Sequence, residues 1–393
     1  MRAISKTVIV LSIVSFFTDV ATEMLYPVMP VYLSSIGFSV IFIGVLEGVA
    51  EAIAGLSKGY FGKMSDVYGT RLPFVRVGYA LSAISKPILG YFATPVWVFL
   101  ARTLDRFGKG IRTGARDAIL SDQATPETKG QVYGFHRTVD TMGAVAGPAL
   151  ALLYLHFFPG NYKTLFYIAF IPGVLALVST YLIKDTAVVK ANHGKVKLID
   201  FISYWKKGPK AYRQLLYGLL LFYLFNSSDM FLLLKVKESG MSDQFVIGMY
   251  IFYNFVYALL SLPLGLLADK LGLKRIYLLG LLIFAVVYLS MAFTENPWAY
   301  MAIFLLYGAF SAATEGISKA WISNICAKED TATAIGTFAG LQSICSLLAS
   351  TIGGIVWYNW GPLAAFTLTG IISLIVFAYI ALKVPYEENK LKA

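Results

Sequence analysis

The chain has 393 residues, of which 58% are hydrophobic and only 14% charged, with a net charge of +11. A soluble domain is about a quarter charged, so this chain cannot cover itself with polar surface in water. Its basic excess fits the Lys and Arg bias of cytoplasmic loops in membrane proteins better than nucleic-acid binding.

Apolar segments of about 20 residues, enough to cross a bilayer, fall at 6–34, 40–61, 73–93, 96–121, 130–157 and 163–183. Six more follow at 212–234, 244–268, 274–293, 298–325, 332–357 and 362–383. The first imitates a signal peptide, with Arg2 and Lys6 ahead of an apolar run, but no clean small-x-small cleavage site follows. A retained first helix is expected. That helix carries Asp19 and Glu23 one turn apart, then Tyr26, Pro27 and Pro30; the second carries Glu47 and Glu51, also one turn apart, and Lys58.

The fourth segment contains "RTLDRFGKGIRTGARDAILSD". At about 100° per residue, Arg102, Asp105, Arg106, Lys109, Arg112, Arg116 and Asp117 fall within an arc of about 140°. A charge facing lipid at the bilayer midplane costs about 3 kcal/mol or more. This face is therefore expected to meet a water-filled cavity or partner charges, and Asp105 with Lys109 has the spacing of a helical ion pair. "FGKG" lacks the glycine spacing and the Ser/Thr of a phosphate loop. Gly55-x-Ser57-x-Gly59 lies in a transmembrane helix rather than at a strand–helix elbow. No nucleophile–base constellation points to an enzyme.

The fifth segment carries Arg137, Asp140 and the series Gly134, Gly143, Gly147, Pro148; the seventh Asn226 and Asp229; the tenth Glu315 and Lys319. Small residues four apart let helices approach closely. The polar stretch between the two sets of six reads as a membrane-surface helix or linker. The expected partition is 1–183, a six-helix bundle; 184–211, the linker; and 212–393, a second six-helix bundle. Cys326 and Cys345 read as reduced core thiols, and His136, His156 and His193 are too scattered for a metal site.

Loop charge sets the expected orientation. The loops at 35–39, 94–95, 295–297 and 359–361 hold no Lys or Arg, and the other outer loops hold only Lys163, Lys235 and Lys237. The opposite loops hold Lys63, Arg71, Lys129, Lys270, Lys274, Arg275 and Lys328, which places both termini and the linker in the cytoplasm.

The halves repeat. "GKMSDVYGTR" from Gly62 returns as "GLLADKLGLKR" from Gly265, an offset of 203 that also pairs Arg112 with Glu315 and Arg116 with Lys319. Glycines permit a tight turn between helices, and the Asp can cap a helix N terminus or pair with a basic residue. Parallel six-helix repeats are one way of building a midplane site exposed alternately to either side.

With these motifs the chain resembles the major facilitator superfamily over its whole length. Gly62, Asp66, Gly69 and Arg71 match the family's loop signature, with Val67 where a basic residue is usual; Gly265, Asp269, Lys270, Gly272 and Lys274 form a nearly complete second copy. Gly143, Gly147 and Pro148 resemble the antiporter motif of helix five, which here ends in Ala151 and Leu152 instead of glycines. Arg106-x-x-Lys109-Gly110 resembles a fourth-helix motif associated with proton transfer, with Lys109 replacing a glutamine. "TEMLYP", "VLEGVAEA" and "DRFGKGIRTGARDA" are similar to a widespread prokaryotic subgroup.

The resemblance implies an all-α membrane protein of twelve transmembrane helices in two pseudo-symmetric bundles, with helices one, four, seven and ten lining a central cavity. The expected function is proton-coupled secondary transport of a small molecule, favouring efflux by antiport. Uptake or exchange of an organic anion is the alternative, and a non-transporting sensor or scaffold is the alternative of another class. Proton coupling is expected at Asp19, Glu23, Arg106, Asp229 and Glu315. Substrate contacts are expected at Glu23, Tyr26, Glu47, Glu51, Lys109, Arg112, Arg116, Asn226 and Lys319. Gating is expected at Gly62, Asp66, Gly69, Arg71, Gly143, Gly147, Pro148, Gly265, Asp269, Lys270 and Gly272. The expected partners are the substrate, protons and the lipid of an inner membrane, for a monomer with no cofactor beyond the proton gradient, no metal and no nucleic acid.

Overall fold

The computed structural model describes residues 4–26, 29, 32–33, 37, 40–91, 94–183, 197, 200–226 and 229–385. Among the described residues there is no strand; twelve long helices follow one another. They are α1 (Lys6–Glu23), α2 (Val40–Tyr68), α3 (Leu72–Tyr91), α4 (Pro95–Asp122), α5 (Lys129–Phe157) and α6 (Tyr162–Ser179). The second set opens with α7 (Lys210–Glu238), which is interrupted after Phe225 and resumes at Met230. Then come α8 (Asp243–Leu271), α9 (Leu273–Phe293) and α10 (Pro297–Ile325). Thr331–Lys383 holds α11 and α12, divided at Gly361, whose φ of 81° and ψ of 171° leave the helix.

Local sequence sets several of these starts. The side chains of Ser5, Ser242 and Asn296 accept hydrogen bonds from the first-turn amides of Val8, Phe245 and Trp298, satisfying donors that have no partner inside the helix. Pro95 and Pro297 stand at first helical positions, where their lack of an N–H costs nothing. Seven helical segments among the described residues are long and apolar enough to cross a bilayer on length and composition, the last containing both α11 and α12. The helices α1 to α4 are not among the seven; α4, at 28 residues, has ample length but carries charge along one face.

The signature loops are shorter than the sequence implies. Gly62–Tyr68 stays helical as the end of α2, and the chain turns at Gly69, with φ of 64°. In the second copy α8 continues to Leu271, and the turn is Gly272 alone, with φ of 98°. The six described glycines with positive φ form three pairs, Gly37/Gly240, Gly69/Gly272 and Gly160/Gly361, spaced 203, 203 and 201 residues apart. The internal repeat is thus written in the backbone at three corresponding corners.

The chain forms two compact units. One comprises Met1–Gln123, Val139–Tyr204 and Ala327–Ser343; the other comprises Ala124–Thr138, Trp205–Cys326 and Ile344–Ala393. The start of α5 therefore belongs with the C-terminal helices, and the start of α11 with the N-terminal ones. In the first unit Tyr32 meets Phe166 edge-to-face at 4.9 Å beside Val20, Met24 and Leu165. In the second, Phe284 stacks on Tyr288 at 4.2 Å and meets Phe222 at 4.9 Å.

Part of the expected linker is helical. Phe201 is buried, its ring against Gly59, and its carbonyl accepts from the Thr337 hydroxyl at 3.0 Å. Lys63 reaches Asp200 at 3.8 Å. This segment is a strap lying on α2 and the start of α11 within the first unit; positions 184–196 and 198–199 lie outside the described residues.

Candidate functional site

Charge and polarity gather in four groups of residues. The first is the crossing of α1 and α5. Asp19, Glu23 and Tyr26 are half-buried near the end of α1. A methyl group on Gly143 would stand 2.5 Å from the Phe16 carbonyl oxygen and 2.9 Å from the Asp19 Cβ; one on Gly147 would stand 2.7 Å from the Met24 nitrogen. Only a missing side chain lets the two backbones meet there. Pro148 follows within the same helix.

The second group is the charged face of α4. Arg102, Asp105, Arg112 and Asp117 are buried, Arg106 and Arg116 half-buried, and Lys109 exposed. Asp105 pairs with Lys86 of α3 at 2.7 Å, not with Lys109. Arg112 donates to the Ser82 hydroxyl at 2.6 Å and lies over the Tyr79 ring at 4.6 Å, a cation–π contact. Arg116 pairs with Asp117 at 2.9 Å and donates to Ser15 at 3.2 Å. Asp19 acts electrostatically on Arg112, and Asp140 on Arg116. The glycines of this segment serve packing: a methyl on Gly108 would stand 2.6 Å from the Gly78 carbonyl oxygen, and one on Gly114 would stand 2.9 Å from the Gly62 Cα. Much of the charged face is therefore turned onto α3 and α1, where fixed polar partners offset its burial.

The third group is a pair of clasps at the signature loops. Asp66 Oδ2 accepts from the Thr333 amide at 2.7 Å and from its hydroxyl at 2.8 Å, capping the start of α11. Asp269 accepts from the Gly130 and Gln131 amides, both at 2.7 Å, capping the start of α5. A carboxylate at a helix N terminus gains from both the amides and the helix dipole. Arg71 ties the first clasp together, contacting Asp122 directly, Asp66 at 3.5 Å and the Lys328 carbonyl at 3.4 Å. Its counterpart Lys274 instead donates to the Ala381 and Val384 carbonyls at 2.9 and 2.6 Å, closing the end of α12. Lys270 is exposed. Gly62 lies buried against the start of α11, and Gly265 against Gly130 and Gly134 of α5.

Asp66 lies beyond the apolar span 40–61, and burial pushes its carboxyl up to about 7, against the lowering pull of Arg71 and Thr333. An exposed Asp titrates near 3.9, so the clasped form binds the proton more tightly than an opened form. By linkage, clasp stability is fully present at low pH and falls as pH rises through about 7. Spin labels at the exposed positions Tyr68 and Glu329, in a cysteine-free background, are expected to show more separated pairs at pH 8 than at pH 6. Asp66→Asn is expected to flatten that dependence.

The fourth group belongs to the second unit. Glu315 of α10 meets Arg137 of α5 at 3.5 Å and accepts from the Tyr223 hydroxyl at 3.3 Å. Asp229, at the interruption of α7, accepts from the Tyr253 hydroxyl at 2.6 Å. Asn226 ends the first part of α7, and Lys319 is half-buried one turn beyond Glu315. Discontinuous membrane helices leave backbone groups available where a cavity or ligand can use them.

The sequence reading did not single out Lys86 or the tyrosines around Glu315 and Asp229. A lysine inside the apolar run 73–93 was the available signal for the first. The side chains of Glu47 and Glu51, and residues Pro27 and Pro30, lie outside the described residues. No group of three or more His, Cys, Asp or Glu able to hold a metal occurs among the described residues.

Two related six-helix sets, loop clasps duplicated at corresponding positions and charge enclosed in apolar helices define a multi-pass membrane carrier built from an internal repeat. A family model for the Major Facilitator Superfamily matches residues 11–255 and 237–393. The chain belongs to that superfamily, whose members are transporters and not enzymes. An MFS-type transporter of Methanocaldococcus jannaschii is 33% identical over 91% of this chain and 89% of its own length. A multi-drug resistance efflux pump PmrA homolog of Lactococcus lactis is 24% identical over 87% of this chain and 84% of its own. In fold, the crystal structure of the human organic anion transporter MFSD10 matches with a TM-score of 0.84 at 16% identity, covering 95% of this chain and 98% of that one.

Proposed function

We propose that this transporter is a proton-coupled exporter of a small molecule, working by alternating access in the inner membrane with both termini and the Asp66 and Asp269 loops facing the cytoplasm. The observation that carries the reading is the seating of Gly143 and Gly147 on α1 at Asp19 and Glu23. A carboxylate beside a backbone-to-backbone crossing changes its hydration when the helices shift, and desolvation favours its protonated form. Asp105 and Asp117 are buried against Lys86 and Arg116, whereas Asp19 and Glu23 keep partial access. Protonation of Asp19 or Glu23 then drives the step in which residues 1–183 and 212–393 rock, the Asp66 and Asp269 clasps open, and the substrate leaves. The efflux direction draws support from the multidrug resistance relatives, among them MdtG of Serratia proteamaculans at 23% identity.

The test uses purified protein in vesicles with an imposed pH gradient and a panel of cationic, neutral and anionic dyes. At least one dye is expected to accumulate against its gradient. Asp19→Asn and Glu23→Gln are each expected to reduce that accumulation about tenfold or more, in the range of general acid–base contributions, while dye equilibration without a pH gradient continues. Unchanged coupling in both variants would remove these residues from the mechanism.

A further inference from the structure

We infer that Arg76 and Tyr181 hold the phosphate of an anionic phospholipid, at the end of α3 and α6 nearest the Asp66 loop. Both residues belong to the first compact unit. The inference goes beyond the exporter reading and is independent of what the carrier moves. Arg76 stands one turn into α3, and its guanidinium lies 4.6 Å over the ring of Tyr181, in the short turn Thr180–Leu182 that follows α6. Tyr181 is 65% exposed, so one side of this stack opens outward.

The stack fixes the guanidinium without satisfying its N–H donors. The Arg76 Nε is buried and has no hydrogen-bond partner among the described residues. Orphaned buried donors cost free energy until a ligand or water accepts from them. The helix pair itself supplies no anion, since α3, α6 and the turn contain no Asp or Glu. Their two other charges are Lys86, paired to Asp105 at 2.7 Å, and Lys163 at the opposite end of α6. Nor does the fold require a cation here: the residue 203 positions further on, in the second copy of the repeat, is Leu279.

What lies outside the stack is apolar. Below Tyr181 the same flank of α6 continues through Leu177, Val174 and Phe170, half-buried at one-turn spacing, and Val77 and Ile84 of α3 are exposed. Contiguous exposed apolar surface of this kind marks a membrane contact, so the neighbour of Arg76 is a lipid and the acceptor it brings is its phosphate. A guanidinium matches two phosphate oxygens at once and also stacks on aromatic faces. Tyrosines sit at headgroup level, and basic sites between membrane helices take acidic head groups. An anionic head group is favoured over a zwitterionic one because neither helix offers a carboxylate to receive an ammonium.

The purified chain, stripped of lipid in a non-ionic detergent, is titrated with dioctanoyl phosphatidylglycerol, dioctanoyl phosphatidylcholine or inorganic phosphate, and binding is read by native mass spectrometry. Tighter binding of phosphatidylglycerol is expected. Arg76→Gln is expected to weaken it about fivefold, the worth of one basic side chain at an anionic surface, and Tyr181→Leu about two- to threefold. Arg213→Gln, which removes an exposed arginine at the start of α7, is expected to leave it unchanged. Arg76→Lys keeps the charge but loses the planar fork; an affinity between those of the parent and Arg76→Gln is expected, and this variant keeps the inference testable if Arg76→Gln is unstable. Equal losses in Arg76→Gln and Arg213→Gln would reduce the effect to general surface charge, and unchanged binding in Arg76→Gln and Arg76→Lys would place the lipid elsewhere. Equal affinity for the two lipids, or Arg76-dependent binding of inorganic phosphate as tight as that of phosphatidylglycerol, would overturn the assignment to an anionic lipid.

Discussion

Replacing Lys86 with methionine is expected to destabilise the chain by about 3–5 kcal/mol, the usual cost of stranding a buried charge. The Lys86–Asp105 pair is 2.7 Å long, with side chains only 3% and 6% exposed. Lys86 also reaches the Thr22 hydroxyl at 3.5 Å, and the Ser82 hydroxyl links the Asp105 carbonyl, at 3.3 Å, to Arg112, at 2.6 Å. Arg102 and Arg106 attract the same carboxylate, so Asp105→Leu strands Lys86 and also takes a partner from two arginines. It is expected to cost at least as much. The double variant Lys86→Met/Asp105→Leu is expected to be less destabilised than the sum of the two single changes, because no charge of the pair is then stranded, while Arg102 and Arg106 still lack their shared carboxylate. Thermal unfolding in detergent, read as a double-mutant cycle, checks this. Strictly additive effects would show that the two groups do not form a coupled pair.

That pair also marks where the sequence stops being informative. The 203-residue echo of Gly62 and Gly265 and the twelve apolar spans were visible because repeats and bilayer-length runs are one-dimensional patterns. The same holds for Asp66 and Asp269, whose capping role follows from an acidic side chain beside a tight turn. Partner choice is different. Asp105 and Lys109 have helical spacing, yet the carboxylate takes Lys86, from a neighbouring helix, because α3 and α4 are brought together at Gly78 and Gly108. Helical periodicity places a residue on a face; it does not say which neighbour covers that face. Glu315 was legible as a charge in an apolar helix. Arg137 was legible in the same way, but its meeting with Glu315 was not, nor were the tyrosines beside them, since these residues come from α5, α7, α8, α9 and α10 and no spacing along the chain records their meeting. Helix ends also moved: α2 and α8 run on through most of their signature loops because those residues satisfy their backbone groups best as continued helix.

Gly143→Leu and Gly147→Leu are expected to abolish pH-driven transport, and Gly143→Ala to reduce it by an amount that reports how far α5 can retreat from α1. The reason lies in what a new Cβ would meet. At Gly143 the obstacle is the Phe16 carbonyl oxygen at 2.5 Å and the Asp19 Cβ at 2.9 Å; at Gly147 it is the Met24 nitrogen at 2.7 Å and the Val20 carbonyl oxygen at 2.8 Å. Three of the four are backbone atoms, which cannot rotate away, so the helices themselves must part. Overpacking of this kind costs about 1–3 kcal/mol, and at this crossing it acts directly on the carrier of Asp19 and Glu23. Gly354→Ala supplies the control, since its nearest neighbour is the tip of the Phe231 ring at 3.8 Å; it is expected to transport within about twofold of the parent. If Gly143→Ala instead matched Gly354→Ala while both inserted normally, the α1–α5 crossing would be mere packing, and proton coupling would have to be sought on other helices. A graded loss from alanine to leucine, with Asp19→Asn insensitive to either substitution, would tie the close approach of the two backbones to the proton step itself.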